Sequence, residues 1–419
     1  LFSCVLSAER GYYEGLNNML PTAVSELTEA LCKLILGLGA AFITVRLTGS
    51  TVWGAAAAMA GITVGTLFAF LYTRIYAKLK GDGITAEMLE NSPEPQSGTD
   101  AFKKMILLTL PIALTSLTVN IPPMIDAFTV KSGLERLING GTDLREIYRS
   151  VFESGDMPDL SAFPVLLYGI RGKAYTVFNL VPAFTSVIGV GAVPTIAAAA
   201  ARGNTAELKK NINTVLKTAA LISLPAACGL IAIGGKITGF LYDTEASAVI
   251  GGEMLTLYGF AALFAGFLVP LGGILQALGK QNAVLLNTAA GTAVKLLVNI
   301  IAVAVPKINV MSAALGTVLC FFVIFLLDIA VLIKATGFAP DTANVFLKPL
   351  VSAALCGLAA RLTVMLGSSR GVTLFAVIAA ALVYAALIVA LKTVAESDFP
   401  DSDKGKKLAE FCRKHRIIR

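Results

Sequence analysis

The chain has 419 residues, 56% of them hydrophobic and only 15% charged, with a mean hydropathy of +0.77. A soluble domain carries about 25% charged residues, so most of this length belongs in lipid. The net charge of +7 is spread over short loops between apolar runs and a basic tail, which is a membrane-topology pattern and not a nucleic-acid-binding face. Six cysteines without CxxC spacing and one histidine, His415 in the tail, exclude a nucleophile–histidine pair or a metal centre within the membrane.

Leu1 stands in mid-apolar run with no signal-peptide pattern, which reads as an N-terminally truncated chain. About twenty apolar residues cross a bilayer, and such segments are predicted at 22–45, 52–78, 104–130, 174–200, 214–235, 254–277, 282–305, 309–334, 346–366 and 371–393. Lysine and arginine placement orients them. With Lys80–Lys104 cytoplasmic, Arg10, Arg202–Lys210, Lys280, Lys334 and the tail from Lys404 are cytoplasmic too. The long external segment Lys131–Lys173 is predicted to hold an amphipathic surface helix over DLREIYRSVFES. The expected fold is an all-α polytopic membrane protein of two pseudo-symmetric helical lobes, the first truncated, plus two extra C-terminal transmembrane helices. Residues 1–80 are the remainder of the N-terminal lobe, namely the end of one helix and two spans. Residues 81–103 form a cytoplasmic linker, 104–335 a six-helix lobe, 336–393 the additional pair and 394–419 a cytoplasmic basic tail.

The stretch YEGLNNMLPTAVSELTEALCKLI, from Tyr13, has a counterpart in LQALGKQNAVLLNTAAGTAVKLL, from Leu275. Lys33 and Lys295 coincide, and at 1.5 Å per residue they stand about 17 and 20 Å above their helix starts, near the midplane. A charge there costs about 2.5–3.5 kcal/mol. Two at matching places in a parallel repeat predict a shared polar cavity. Glu26, Glu29 and Lys33 share one helix face. That face either meets the cavity or holds a Glu29–Lys33 pair with Glu26 snorkelling. Asn287, Gly291, Lys295 and Asn299 recur every four residues, and Lys295 has no carboxylate one turn away. This stripe is expected to receive an anion; interhelical amide packing is its bland alternative. Arg171 and Lys173 fall where an inbound helix is predicted to begin, with Asn179 two turns deeper, and interfacial anchoring explains them as well. Asp126, after Pro122-Pro123 and near the predicted outer end of its helix, joins Glu26 and Glu29 as an ion-coupling candidate or braces a loop. Asp328 and Arg361 read as snorkelling residues.

RGYYEGLNNMLPTAVSELTEALCKL, LYGIRGKAYTVFNLVPAF, GGILQALGKQNAVLLNTAAGTAVKLLVNI and GKKLAEFCRK resemble segments of the stage V sporulation protein B-like polysaccharide exporters. That family lies in the superfamily of multidrug and lipid-oligosaccharide exporters that includes MurJ-type lipid II flippases. The resemblance implies fourteen helices, of which this chain holds the fifth onwards, with Glu14, Glu26 and Glu29 where the family has glutamine. It also implies that 346–366 and 371–393 border a groove for a polyprenyl tail, with small residues such as Ala353 and Gly357 facing it. The expected function is flipping of a polyprenyl-diphosphate-linked saccharide (lipid II or a polysaccharide precursor) from inner to outer leaflet by alternating access. Lys33, Lys295, Arg171 and Lys173 are expected to meet the diphosphate, with Asn287, Asn299 and Asn179 beside them. The alternative within the superfamily is a multidrug/cation antiporter. A membrane glycosyltransferase is a weaker rival, since only 131–163 offers extramembrane carboxylates. The expected partners are the lipid-linked saccharide, membrane lipids and a coupling cation (H+ or Na+). No enzyme activity, cofactor, metal or nucleic acid is expected, and the setting is a monomer in the bacterial plasma membrane with a cytoplasmic C-terminus.

Overall fold

A computed structural model describes residues 2–16, 18–81, 84, 97–152, 157–242, 244–367, 369–391 and 393. The predicted tail 394–419 and most of the predicted linker lie outside the described residues. The long helices are α1 (Phe2–Gly15), α2 (Leu20–Thr48), α3 (Thr51–Lys80), α4 (Gly98–Asn139), α5 (Phe163–Ala201), α6 (Thr205–Leu241), α7 (Glu245–Ala277), α8 (Gln281–Val303), α9 (Ser312–Thr336), α10 (Lys348–Val364) and α11 (Arg370–Ala390). Among the described residues, nine helices are long and apolar enough to cross a membrane. The expected span 104–130 lies within α4, several of whose side chains are outside the described residues. The protein is an all-α, multi-pass membrane protein.

Helix ends follow local chemistry. Pro21 near the start of α2 has no N–H to leave unsatisfied, and Gly49 (φ 65°) and Gly337 (φ 74°) close α2 and α9 in the left-handed region. Asp341 caps the turn leading into α10: its carboxylate accepts from the Asn344 backbone N–H at 3.2 Å and side-chain amide at 2.6 Å. The Asn344 amide, then its backbone N–H, holds that carboxyl below its ordinary value. The sign follows: a depressed folded-state pKa adds stability above the unfolded pKa that is lost as pH falls through the folded one. Asp341→Ala is therefore expected to lower stability by about 0.5 kcal/mol at neutral pH, the low end for an exposed cap. Thermal unfolding at pH 7 should show a deficit that shrinks in acid; an unchanged midpoint at pH 7 would remove the cap's role.

The chain divides into two compact units, Leu1–Asp100 and Ala101–Arg419. In the first, α2 and α3 form a tight antiparallel pair. A Cβ at Gly65 would lie 3.0 Å from the Lys33 backbone nitrogen. In the second, α7 is the central helix, packed on α5, α6 and α9, while α8 pairs with α9 and the α10–α11 pair lies against α6. The α6–α7 contact is set by Gly252, Gly259 and Gly266, one every seven residues on α7. A Cβ at Gly259 would lie 2.8 Å from the Ile231 nitrogen, and one at Gly252 would fall on the Gly235 Cα.

Four expectations are corrected. Helix α5 begins at Phe163, with Pro164 in its first turn, so Arg171 and Lys173 lie inside the helix. Helix α4 continues to Asn139, which puts Asp126 well within it. The segment predicted as an amphipathic surface helix makes one helical turn, Leu144–Ile147, and then packs inward: Tyr148 is buried, stacks on Phe163 and shares a 2.5 Å hydrogen bond with Asn309 Oδ1. Burial pushes the Tyr148 phenol up to about 12, so it donates that bond as a neutral group. Ala353 is fully buried, and a Cβ at Gly357 would lie 2.9 Å from the Cys228 carbonyl on α6, so these small residues serve close helix packing instead of lining an open groove.

Candidate functional site

Unit 2 buries three charges together. Asp126 on α4 is 0% exposed, Lys295 on α8 is 1% exposed and Arg171 on α5 is 4% exposed. Asp126 Oδ2 accepts from Lys295 Nζ at 2.9 Å and from the Arg171 guanidinium; Oδ1 accepts from Asn299 Nδ2 at 2.8 Å. Lys295 Nζ also donates to Thr317 Oγ1 at 2.9 Å, and Asn299 Nδ2 reaches Thr129 Oγ1 at 3.1 Å. The Arg171 Cζ lies 4.4 Å from the Tyr175 ring centroid, a cation–π contact. The trio carries one positive charge more than its carboxylate neutralises. Among the described residues it also leaves Arg171 Nε and Asn299 Oδ1 buried without a hydrogen-bond partner. A network that is charged and incompletely satisfied is costly to hold, which is a reason to look for function in it.

Close packing puts these atoms together. A Cβ at Gly316 on α9 would fall on Asn299 Oδ1 and lie 3.3 Å from Lys295 Cγ, so only glycine lets α9 meet the polar face of α8. Lys295 has no carboxylate neighbour on α8, and its charge partner, Asp126, arrives from α4. Asn287 belongs to a separate pair two turns along α8, donating at 2.8 Å to Asp328 Oδ1. Asp328 is 1% exposed, so it does not snorkel. Asp328 and Asn179 line a cavity of ≈ 840 Å³, which shares Tyr175 with the charged trio. Lys173 stands apart, with Nζ 2.9 Å from Ser247 Oγ and 5.2 Å from the Tyr242 ring centroid.

Unit 1 holds a trio of the same composition. Glu29 is paired with Arg10 at 2.9 Å and with Lys33 at 2.8 Å, and Thr66 Oγ1 on α3 donates to it at 3.0 Å. This site is more open, with the Lys33 side chain 37% exposed. Glu26 is exposed and has no ion-pair partner among the described residues. Arg10, Thr66, Thr129, Tyr175 and Thr317 were not singled out by sequence. Arg10 was named only among the cations that orient the spans, and α1 carries Glu9 and Glu14 beside it. Among the described residues no group of three or more His, Cys, Asp or Glu is placed to hold a metal.

Residues 171–301, which include Arg171, Lys295 and Asn299, match the family described as MatE. The chain is similar to lipid II flippase MurJ of Bacillus subtilis, at 24% identity over 312 residues that make up 74% of this chain and 53% of that protein. It is also similar to stage V sporulation protein B of the same organism, at 23% identity over 404 residues, 94% of this chain and 71% of that protein. The matched region spans about half the length of the first of these relatives. A solved structure of lipid II flippase MurJ in an inward closed conformation shares the fold, with a TM-score of 0.63 at 14% identity over 93% of this chain and 71% of that one.

Proposed function

We propose that this chain belongs to the MurJ-like flippases of the lipid-oligosaccharide exporters, a transporter and not an enzyme. Its proposed cargo is a polyprenyl-diphosphate-linked saccharide, lipid II or a polysaccharide precursor, moved from inner to outer leaflet of the bacterial plasma membrane by alternating access. The observation that carries this reading is the repeated charge set: in each unit an arginine and a lysine share one carboxylate, leaving one net positive charge. A diphosphate is a ligand that such cations recognise through charge-assisted hydrogen bonds. Arg171 and Lys295, with Asn299 beside them, are the proposed unit 2 ligands, and Lys33 with Arg10 those of unit 1. Asn179 lines the cavity that shares Tyr175 with the unit 2 trio, whereas Lys173 and Asn287 are engaged elsewhere, with Ser247 and Asp328.

Binding and coupling follow from competition. An arriving diphosphate draws the cations away from Asp126 or Glu29, and the released carboxylate then needs a proton or a metal cation. Glu29 and Asp126 are therefore better placed for coupling than the exposed Glu26. Outward movement of two uncompensated negative charges across 100 mV, inside negative, is favourable by about 4.6 kcal/mol. The test is depletion of the protein in its host, followed by labelling of lipid-linked saccharide on the outer leaflet. Loss of the outer-leaflet label with build-up of the precursor inside is expected. Unchanged labelling together with lost efflux of cationic drugs would replace the flippase reading by the antiporter one.

A further inference from the structure

The cavity of ≈ 840 Å³ inside unit 2 has the size of sites that enclose a small ligand, about 300–1,000 Å³. Helices α4, α5, α7, α8 and α9 all contribute to its wall. Among the described residues that line it, Asp328 is the one carboxylate, and no cation faces it. Asp328 Oδ1 accepts from Asn287 Nδ2 at 2.8 Å, and the carboxylate has no ion-pair partner among the described residues. A buried carboxylate held by one amide is poorly compensated, and a cation entering the cavity would relieve it.

The rest of the wall limits what that cation can be. Tyr175, Phe178 and Phe321 make one aromatic side, with the Phe178 ring centroid 5.5 Å from that of Tyr175 and 6.1 Å from that of Phe321. Asn179 and Gln276 line the same space as exposed residues, and their amides have no hydrogen-bond partner among the described residues. A divalent metal ion asks for a full shell of oxygens, which one carboxylate among aromatic rings does not supply. Aromatic rings, free amides and a lone carboxylate suit a sugar that carries an ammonium. The rings meet its C–H face, the amides its hydroxyls, and Asp328 its charge.

Charge also places the amine along the cargo. The cavity shares Tyr175 with the trio, whose excess is one positive charge, while Asp328 supplies a negative one. Asn287, which holds Asp328, stands two turns from Lys295 on α8, about 12 Å at 1.5 Å per residue. That separation is longer than one sugar ring. An amine that meets Asp328 while the diphosphate meets Arg171 and Lys295 therefore belongs on the second sugar.

We propose that the cargo's saccharide carries a free amine on the second sugar from the diphosphate, and that Asp328 selects it by pairing with the ammonium. The proposal rests on the flippase reading and adds the chemistry of the headgroup, anionic at the trio and cationic at Asp328.

The experiment uses the full chain in phosphatidylcholine nanodiscs at about pH 6, below the pKa of an amine, with retained lipid counted by native mass spectrometry. The probes are undecaprenyl diphosphate disaccharides of N-acetylglucosamine that differ at the distal sugar alone, one fully acetylated and one with a free distal amine. The free-amine lipid is expected to be retained about tenfold more tightly, the worth of one charge-assisted contact. Asp328→Asn keeps the shape and can still accept from Asn287, but it loses the charge and should bring that ratio close to one. Thermal unfolding without lipid reports whether the variant is folded. A third lipid with a distal dimethylamino group, bulky but still cationic, separates charge from size without any mutation; it should be retained with the free amine. Equal retention of the acetylated and free-amine lipids by the wild type overturns the proposal and leaves the flippase reading standing. A dimethylamino lipid that follows the acetylated one, or a preference that survives in folded Asp328→Asn, also overturns it, since the acetyl group is then excluded by its bulk. Retention of none of these lipids overturns the flippase reading and the proposal with it.

Discussion

Asp126→Asn and Lys295→Met are each expected to abolish the proposed transport, and the first to cost far more stability. Removing the carboxylate leaves Arg171 and Lys295 buried together without an anion, and breaking such a pair from one side costs about 3–5 kcal/mol. Lys295→Met is milder, at about 1–2 kcal/mol, because Asp126 keeps Arg171 and Asn299, and Thr317 still donates to the Ala313 carbonyl at 2.7 Å. The double variant Asp126→Asn/Lys295→Met restores the excess of one positive charge. It should therefore be more stable than Asp126→Asn alone, a coupling that a double-mutant cycle reads directly. Lys295→Arg keeps the charge but adds volume to a site 1% exposed, where Gly316 already marks the limit of approach, so overpacking of about 1–3 kcal/mol is expected. The measurements are thermal unfolding of purified protein and growth of a host carrying each change in its chromosomal copy. Normal growth with Lys295→Met, at normal membrane levels, would reduce the trio to a structural brace.

Lys33 and Lys295 stand out in the sequence because a charge in a long apolar run has few tolerable explanations. The stripe Asn287–Gly291–Lys295–Asn299 was legible because a period of four fixes one helix face. What that face meets is a different kind of information. Asp126 lies 169 residues from Lys295 in sequence, and nothing in α8 names α4 as its neighbour. Position on a helix was also misjudged where polar residues sit near a predicted end. Arg171 and Lys173 looked interfacial because hydropathy averages over windows, so charges at 171 and 173 delay the predicted start to 174, while the backbone already turns helical at Phe163. The segment after Asp143 misled differently. Its alternation of charged and apolar residues suits a surface helix, but Tyr148 found a buried partner in Asn309, whose φ of 32° lies in a region asparagine tolerates better than most side chains. The small residues of α10 were assigned to a groove by resemblance, yet Gly357 is small because the backbone of α6 lies against it.

The glycines of α7 carry the other large expected effect. Their seven-residue spacing is plain in the sequence, but glycine is common in membrane helices and only the position of α6 gives the spacing its meaning. At Gly252 a Cβ falls on the Gly235 Cα, and at Gly259 it meets the Ile231 nitrogen at 2.8 Å. Both obstacles are backbone, so no rotamer change relieves them and the helices must separate. Helices in lipid associate through close van der Waals contact, not through exclusion of water, and separating α6 from the central helix α7 sacrifices that contact along its length. Gly252→Val is thus expected to destabilise by at least the roughly 3 kcal/mol at the upper end of ordinary overpacking. Gly266→Ala meets the Ser223 side chain instead and should cost less. Gly229→Ala supplies the opposite sign. A Cβ there meets nothing within 4 Å, so the gain in helix propensity of about 0.5–1 kcal/mol should appear as added stability. Thermal unfolding in one detergent ranks the four proteins as Gly229→Ala, wild type, Gly266→Ala and Gly252→Val, from most to least stable. A Gly252→Val protein that unfolds with the wild type would mean that α6 and α7 do not touch where the structure brings them together.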